Sequence, residues 1–121
     1  MAWDVAFTDE FGMWWMTLTE SQQEDIAAYV DRLEVMGPQL PFPYSSGIKG
    51  SRHDHMRELR EQSHGDPLRV FYAFDPCRSA ILLIGGDKTG RDRFYQDMIP
   101  VADALYDAHI AELTIKGRNQ T

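Results

Sequence analysis

The chain has 121 residues, of which 43% are hydrophobic and 26% are charged, the composition of an ordinary soluble globular protein. This length suits one domain with a real core and is too short for two. No stretch reaches the ~20 apolar residues of a membrane-spanning helix, and the N-terminus lacks the basic and apolar regions of a signal peptide. We therefore expect a single domain, residues 1–121, located in the cytoplasm, and the single cysteine excludes an internal disulfide framework.

The net charge of −7 argues against a general polyanion binder, because affinity for nucleic acids comes largely from Lys and Arg side chains that displace counterions. The bases are nevertheless concentrated, since residues 49–93 carry nine of the twelve Lys and Arg residues against seven acids. A cationic cleft on an acidic body would bind phosphate locally, and surface salt bridges scattered over a sheet would give the same count. Charge alone leaves both interpretations open.

The N-terminal part of the chain predicts a short strand followed by two helices. Residues 3–7 alternate large apolar and small or polar side chains, and Thr8 then offers an N-cap for a helix with an aromatic stripe. Thr19, with Gln22 three residues later, forms a capping-box pattern for a second helix. This helix should end at Gly37, which is followed by a proline.

Three consecutive strands are predicted in the middle of the chain, after a proline-rich loop at residues 38–47. The segments are 55–61, 68–75 and 79–84, separated by turn sequences that favour an antiparallel meander. Side chains in the middle strand should alternate faces, with Leu68, Val70, Tyr72 and Phe74 in the core and Arg69 on the opposite face.

The C-terminal region predicts a closing helix. Apolar residues recur at helical spacing from Phe94 to Ala108, and Thr89 is a candidate N-cap. Pro100 should kink this helix or start a new turn, because its ring excludes a backbone hydrogen bond. The polar tail from about Thr114 is expected to fray.

His53 and His55 would share a face if this segment were extended. A metal site needs at least a third ligand, and no matching cluster occurs elsewhere in the sequence. The pattern therefore favours a polar edge segment, although one of the two histidines remains a candidate for substrate contact. We expect neither a metal nor another cofactor.

The order of these features resembles the RelE/HigB toxin superfamily, and most of all its phage-derived HigB-like branch. The motifs that carry the resemblance are Glu58-Leu59-Arg60, the segment LRVFYAF at 68–74, and the apolar strand that ends in Asp87-Lys88. The match covers roughly residues 3–110. It implies an α+β, RelE-like fold, with two N-terminal helices packed on an antiparallel β-sheet meander, a C-terminal helix, and the opposite sheet face as the functional groove.

The resemblance also implies a function, the toxin of a type II toxin–antitoxin module. Such a toxin would be a metal-independent, ribosome-associated mRNA endoribonuclease that inhibits translation, with no membrane partner. Its protein partner would be a helix-turn-helix, HigA-like antitoxin. The alternative is a non-catalytic antitoxin-binding module of the same fold, and a helix-turn-helix reading frame beside the gene would support the module without establishing activity.

RNA cleavage without a metal needs a base for the 2′-hydroxyl, a proton donor for the leaving 5′-oxygen, and positive charge for the developing phosphorane. Carried over by position, the resemblance implies catalytic roles for Arg69, Lys88 and Tyr95, and Arg60 is a further candidate for stabilising the phosphorane. The candidates for RNA binding are Arg57, Arg91, Arg93 and His55. RelE-type enzymes carry lysines where this chain has Met56 and Glu58, so the general base is left unassigned. Neutral imidazole accepts a proton near pH 7, which makes His55 and His64 candidates.

Overall fold

A computed structural model describes residues 2–62 and 65–119 of the chain. The elements, in chain order, are β1 (Asp4–Phe7), α1 (Asp9–Trp15), α2 (Glu20–Met36), a 3₁₀ turn (Gly37–Gln39), β2 (Ser45–Gly47), β3 (Arg57–Glu61), β4 (Leu68–Phe74), β5 (Ser79–Asp87) and α3 (Phe94–Asn119). The α+β fold class predicted from the sequence is confirmed.

One five-stranded sheet organises the domain, in the order β1-β5-β4-β3-β2. Strands β2 to β5 pair antiparallel with their neighbours, whereas β1 pairs parallel with β5. The predicted meander is therefore confirmed, with β4 in its centre. The proline-rich segment contains the short edge strand β2, which the sequence reading assigned to a loop.

Local capping explains where the two N-terminal helices begin and end. The Thr8 hydroxyl accepts a hydrogen bond from the Phe11 amide at 2.9 Å. Thr19 and Gln22 form the reciprocal capping box that the sequence predicts. α2 ends at Gly37, whose φ of 56° lies in the left-handed region that favours glycine.

Both faces of the sheet are covered by helices. α1 and α2 cover one face, where the central core contains Phe11, Ile26, Leu33, Leu59, Leu68, Val70, Tyr72 and Leu82. α3 covers the other face, where a second core contains Met56, Phe71, Ala73, Ile81, Leu83, Phe94, Ile99, Ala102 and Tyr106. The alternation predicted along β4 is thus confirmed. The functional groove predicted on the second face is reduced to clefts beside α3, because the apolar side of α3 packs on this face.

Two adjacent glycines allow helices to approach β5 closely on both faces. A Cβ atom at Gly85 would overlap the ring of Trp14 from α1. A Cβ atom at Gly86 would lie 2.9 Å from a ring carbon of Phe94 on α3. Because real Cβ atoms avoid such contacts, glycine at both positions permits this three-layer packing.

α3 differs from its prediction in where it begins and how far it extends, and the kink or new turn expected at Pro100 stays a prediction. It begins at Phe94, later than the Thr89 cap predicts, and it continues through Pro100 without ending there. It also continues past Thr114 to Asn119, and the flexibility expected of this tail stays a prediction. Of the helices within residues 2–62 and 65–119, none combines the length with the hydropathy that a membrane span requires.

Val70→Asp should unfold the domain, because Val70 is fully buried in the first core and an unpaired charge there has no partner. We expect the free energy of unfolding to fall by roughly 4 kcal/mol or more, as measured by urea denaturation. The matched control is Val35→Asp, since Val35 is 75% exposed, and its effect should stay below about 1 kcal/mol. Equal effects of the two substitutions would contradict this assignment of the core.

Candidate active site

Three charged residues of β3 and β4 lie together on the sheet face that α3 covers. Arg60 and Arg69 are directly opposite each other in the antiparallel register. Like charges in such cross-strand positions repel, and Glu58 compensates them. Its Oε2 lies 3.5 Å from an Arg60 terminal nitrogen, and its Oε1 lies 3.5 Å from Nε of Arg69.

Arg69 is the buried member of this group, with only 2% of the residue exposed. One terminal nitrogen donates to the Leu68 carbonyl at 3.0 Å, and the other donates to Oε1 of Gln62 at 3.2 Å. Nε, although buried, makes no hydrogen bond beyond its long contact with Glu58. The sequence reading correctly placed Arg69 opposite the first core, but its expected setting in an open groove is wrong. Its guanidinium therefore contacts groups of the protein, namely Leu68, Gln62 and Glu58, and holds them in position.

Tyr95, in the first turns of α3, completes the cluster. Its hydroxyl donates a hydrogen bond of 2.8 Å to Oε1 of Glu58, and the ammonium of Lys88 lies 5.1 Å from the centre of its ring. Burial and the Glu58 carboxylate raise the pKa of Tyr95, whereas Arg69 acts in the opposite direction. The phenol therefore keeps its proton at neutral pH and acts as a donor.

The cluster opens to solvent through a cleft of about 300 Å³, lined by Gly47, Ile48, Lys49, Glu58 and Tyr95. The Arg60 side chain is 26% exposed, and its guanidinium lies 5.1 Å from the centre of the Phe42 ring. Lys88 is half-buried just after β5. Glu58, Tyr95 and Lys49 therefore line one cleft, and Arg60 and Lys88 lie beside the first two, which together supply the groups that acid–base chemistry on an anionic substrate needs.

Two of the four predicted RNA-binding residues lie away from this cluster. Arg57 points to the α1–α2 face, where its Nε donates to the Ser45 hydroxyl at 3.0 Å. His55 precedes β3, and its Nε2 lies 3.2 Å from the Tyr106 hydroxyl. Tyr106 follows Tyr95 by eleven residues on α3, a separation of ~16 Å at 1.5 Å per residue. His55 is therefore a poor candidate for the general base.

The other two predicted RNA-binding residues lie at the start of α3, close in sequence to Tyr95. Arg91 contacts Asp97 at 3.4 Å, and its guanidinium lies 5.1 Å from the centre of the Phe94 ring. Arg93 is exposed. His64, the other candidate base, lies outside the described residues.

Glu58 is the residue that sequence reasoning missed, because it was noted only as a departure from the lysines of RelE-type enzymes. The signal was nevertheless present in the sequence. Strand alternation places Glu58 on the same face as Arg60, and pairing with β4 brings Arg69 to that face. An acid that strand geometry places among two arginines is a candidate for a buried, paired carboxylate.

Among the described side chains, no three from His, Cys, Asp and Glu converge closely enough to bind a metal ion. The expectation of chemistry without a cofactor stays a prediction.

The helix hairpin, the sheet order and the closing helix define a RelE-like fold. The structure is similar to a mutant of Escherichia coli toxin RelE in the free state, with a TM-score of 0.59 and 13% identity over 78% of this chain and 92% of that one. It is also similar to the archaeal RelE-RelB complex of Pyrococcus horikoshii, with a TM-score of 0.58 and 17% identity over 75% of this chain and 99% of that one. The family model for phage derived protein Gp49-like (DUF891) matches residues 13–107, and the chain belongs to this family.

Two relatives from Mycobacterium tuberculosis carry toxin names. The chain is 37% identical to HigB2 over 110 residues, which are 89% of this chain and 55% of HigB2. It is 40% identical to HigB3 over 91 residues, which are 74% of this chain and 78% of HigB3. The chain thus spans about half the length of HigB2. The predicted membership of the RelE/HigB superfamily is confirmed.

The raised pKa of Tyr95 predicts an alkaline stability effect. The folded state holds this proton more tightly than the unfolded chain, because burial disfavours a phenolate and Glu58 would repel it. The resulting stabilisation is fully present below the ordinary pKa of 10.0 and is lost as the pH rises through the raised folded-state value. Urea denaturation between about pH 9 and pH 11 should therefore show a steeper loss of stability in the wild type than in Tyr95→Phe. In a Glu58→Gln background this difference should shrink; an unchanged difference contradicts the proposed contact.

Proposed function

We propose that this chain is the toxin of a type II toxin–antitoxin module and that it cleaves mRNA on the ribosome in the cytoplasm. The observation that carries the proposal is the pair Glu58 and Tyr95 at one cleft, with Arg60 in contact with Glu58 and Lys88 beside the Tyr95 ring. Membership of the Gp49-like family and the toxin names of HigB2 and HigB3 support it.

In this mechanism Glu58 is the general base that the sequence left unassigned. Its carboxylate lines the cleft, where it can accept the proton of an RNA 2′-hydroxyl. The 2′-oxygen then attacks the adjacent phosphorus, and the bond from phosphorus to the 5′-oxygen breaks while that oxygen takes a proton from water in the cleft. The products are a 2′,3′-cyclic phosphate and a 5′-hydroxyl. The hydrogen bond from Tyr95 orients the carboxylate.

Positive charge near the cleft can stabilise the negative charge that develops on the phosphate oxygens as the 2′-oxygen attacks. Arg60 and Lys88 are the partly accessible cations of the cluster, and we assign to them the stabilisation of the phosphorane oxygens. A guanidinium suits this role because its fork meets two phosphate oxygens and it stays protonated. Arg69 is a positioning residue, since its partners are protein groups and it holds Glu58 from below.

The proposed partner is a helix-turn-helix, HigA-like antitoxin encoded beside this chain. Two of the structural neighbours are toxin–antitoxin complexes, the archaeal RelE-RelB complex and RelBE2 of Mycobacterium tuberculosis, with a TM-score of 0.55, 12% identity, and coverage of 72% of this chain and 92% of that one. An antitoxin that covers the cleft would block access of RNA to Glu58.

One surface favours the second candidate function, a binding module without catalysis. Between α1, α2 and β1 lies a cavity of about 410 Å³, whose apolar lining includes Phe7, Phe11 and Trp15. Met13 on α1 and Met16 at its C-terminal cap are 73% and 78% exposed. Such exposed apolar area is typical of a protein-binding surface, and it would serve antitoxin binding whether or not the chain cleaves RNA.

Growth of cells that express the chain tests the proposal. We expect the wild type to arrest growth and co-expression of the neighbouring antitoxin to restore it. Glu58→Gln keeps an acceptor for Tyr95 but removes the base, so growth should continue, and single-turnover cleavage of mRNA should fall by about 10²-fold or more. Glu112→Gln is the matched control, because Glu112 is exposed on the distal half of α3, and it should stay toxic. Unimpaired growth with the wild-type chain present, together with intact mRNA in a translating extract, would favour the binding module.

Two substitutions of Arg69 distinguish the effect of its charge on the cleavage rate from the effect of its guanidinium geometry. Arg69→Ala should lower single-turnover cleavage by roughly 10²-fold, because Glu58 loses a partner that orients it. It should also destabilise the fold, since removing one partner leaves a buried charge less compensated. Arg69→Lys restores the charge without the fork and should fall between wild type and alanine in rate. Cleavage is measured without urea, at a temperature at which each variant is folded. A wild-type rate in Arg69→Ala would contradict the positioning role.

A further inference from the structure

The loop between β2 and β3 carries the motif Lys49-Gly50, to which the mechanism above assigns no role. Gly50 has a φ of 96°, a conformation that L side chains rarely adopt, and this permits the turn after Lys49. Asp103 of α3, which is 3% exposed, then anchors the loop. It accepts hydrogen bonds from the Ser51 hydroxyl at 2.5 Å and from the Arg52 amide at 3.0 Å. Lys49 is therefore presented by a loop that is fixed to α3.

Lys49 itself is exposed, and within the described part of the chain no carboxylate forms an ion pair with it. The neighbouring cation Arg52 is different, because its terminal nitrogen contacts Asp107 at 2.6 Å. Lys49 is thus available to an anionic ligand, whereas Arg52 compensates the acids of α3.

Lys49 and Tyr95 line two adjoining clefts. One is the cleft at Glu58, and the other is a cavity of about 550 Å³ between this loop and α3, which we call the α3 cleft. The α3 cleft has an apolar wall formed by Ile99 and Pro100, and the exposed amide of Gln96 lies at its edge. It combines an apolar surface, an amide with both donor and acceptor, and an unpaired cation beside the proposed reaction centre.

We propose that the α3 cleft binds the nucleotide adjacent to the cleaved phosphodiester of a single-stranded RNA. The base packs against Ile99 and Pro100, Gln96 hydrogen-bonds its edge, and Lys49 contacts the flanking phosphate. Unstacked bases of single-stranded RNA fit this chemistry, because their faces are apolar and their edges carry donors and acceptors. The inference rests on the proposed function, since it extends the same site by one nucleotide.

The subsite is tested with the full chain by comparing how much one added nucleotide tightens RNA binding in the wild type and in a variant of the α3 cleft. The probes are a dinucleotide and two trinucleotides, extended on the 5′ or the 3′ side, each with a 2′-O-methyl group at the cleavable position so that binding is measured without cleavage. In the wild type, one of the two extensions should tighten binding by about tenfold, the scale of one well-packed base. In Lys49→Met/Gln96→Ala the same extension should tighten binding by less than about twofold, whatever the affinity of the variant for the dinucleotide.

Lys116→Met is the matched control, because Lys116 is an exposed lysine near the end of α3 that pairs with Glu112. It removes the same charge and should keep the full length effect. An equal length effect in wild type and Lys49→Met/Gln96→Ala overturns the subsite. A wild type that binds and cleaves the unmodified dinucleotide and trinucleotides equally well also overturns the subsite. That result leaves the proposed function intact. A wild type that binds none of these RNAs overturns the subsite, and the proposed function falls with it only if mRNA also stays intact in a translating extract.

Discussion

The contact between Glu58, Arg69 and Tyr95 is the constraint on which the second face of the sheet depends. A buried carboxylate or guanidinium is costly unless it is paired and hydrogen-bonded. Here Arg69 and Tyr95 compensate Glu58 from the neighbouring strand and from α3. The Leu68 carbonyl and Gln62 accept hydrogen bonds from the terminal nitrogens of the arginine, whose Nε has only its long contact with Glu58. The same pairing that permits burial also holds a carboxylate at the wall of a cleft, so stability and the proposed chemistry share one arrangement.

α3 serves the core and the site with neighbouring residues. Phe94 is buried against the sheet and Tyr95 reaches Glu58, so one helical turn supplies both an apolar contact and a polar one. Further along, Asp103 anchors the loop that presents Lys49. Displacing α3 would therefore expose the second core, release Glu58 and free this loop together. We infer that the helix couples folding of this face to formation of the site.

Charge is divided between the two faces in a way that the net value hides. The helices α1 and α2 contribute mainly acids, with an apolar cavity between them, whereas on the α3 side Lys49 lines both clefts and Arg60 and Lys88 lie beside Glu58 and Tyr95. An acidic protein can thus keep a local surface for an anionic substrate, because interactions between exposed charges are screened over about 10 Å. Of the two interpretations that the charge count left open, the positions of these cations favour the local cleft.

The sequence by itself determined the helix hairpin, the meander and the two faces of β4, because capping boxes, turn residues and side-chain alternation act over a few neighbouring residues. It also carried the family resemblance. Only the tertiary structure decided that α3 covers the second face, that β1 joins β5 in parallel, and that Arg69 is buried against Glu58. It likewise separated His55 and Arg57 from the cluster. These outcomes depend on contacts between distant segments and on space beside Gly85 and Gly86, which no local pattern encodes.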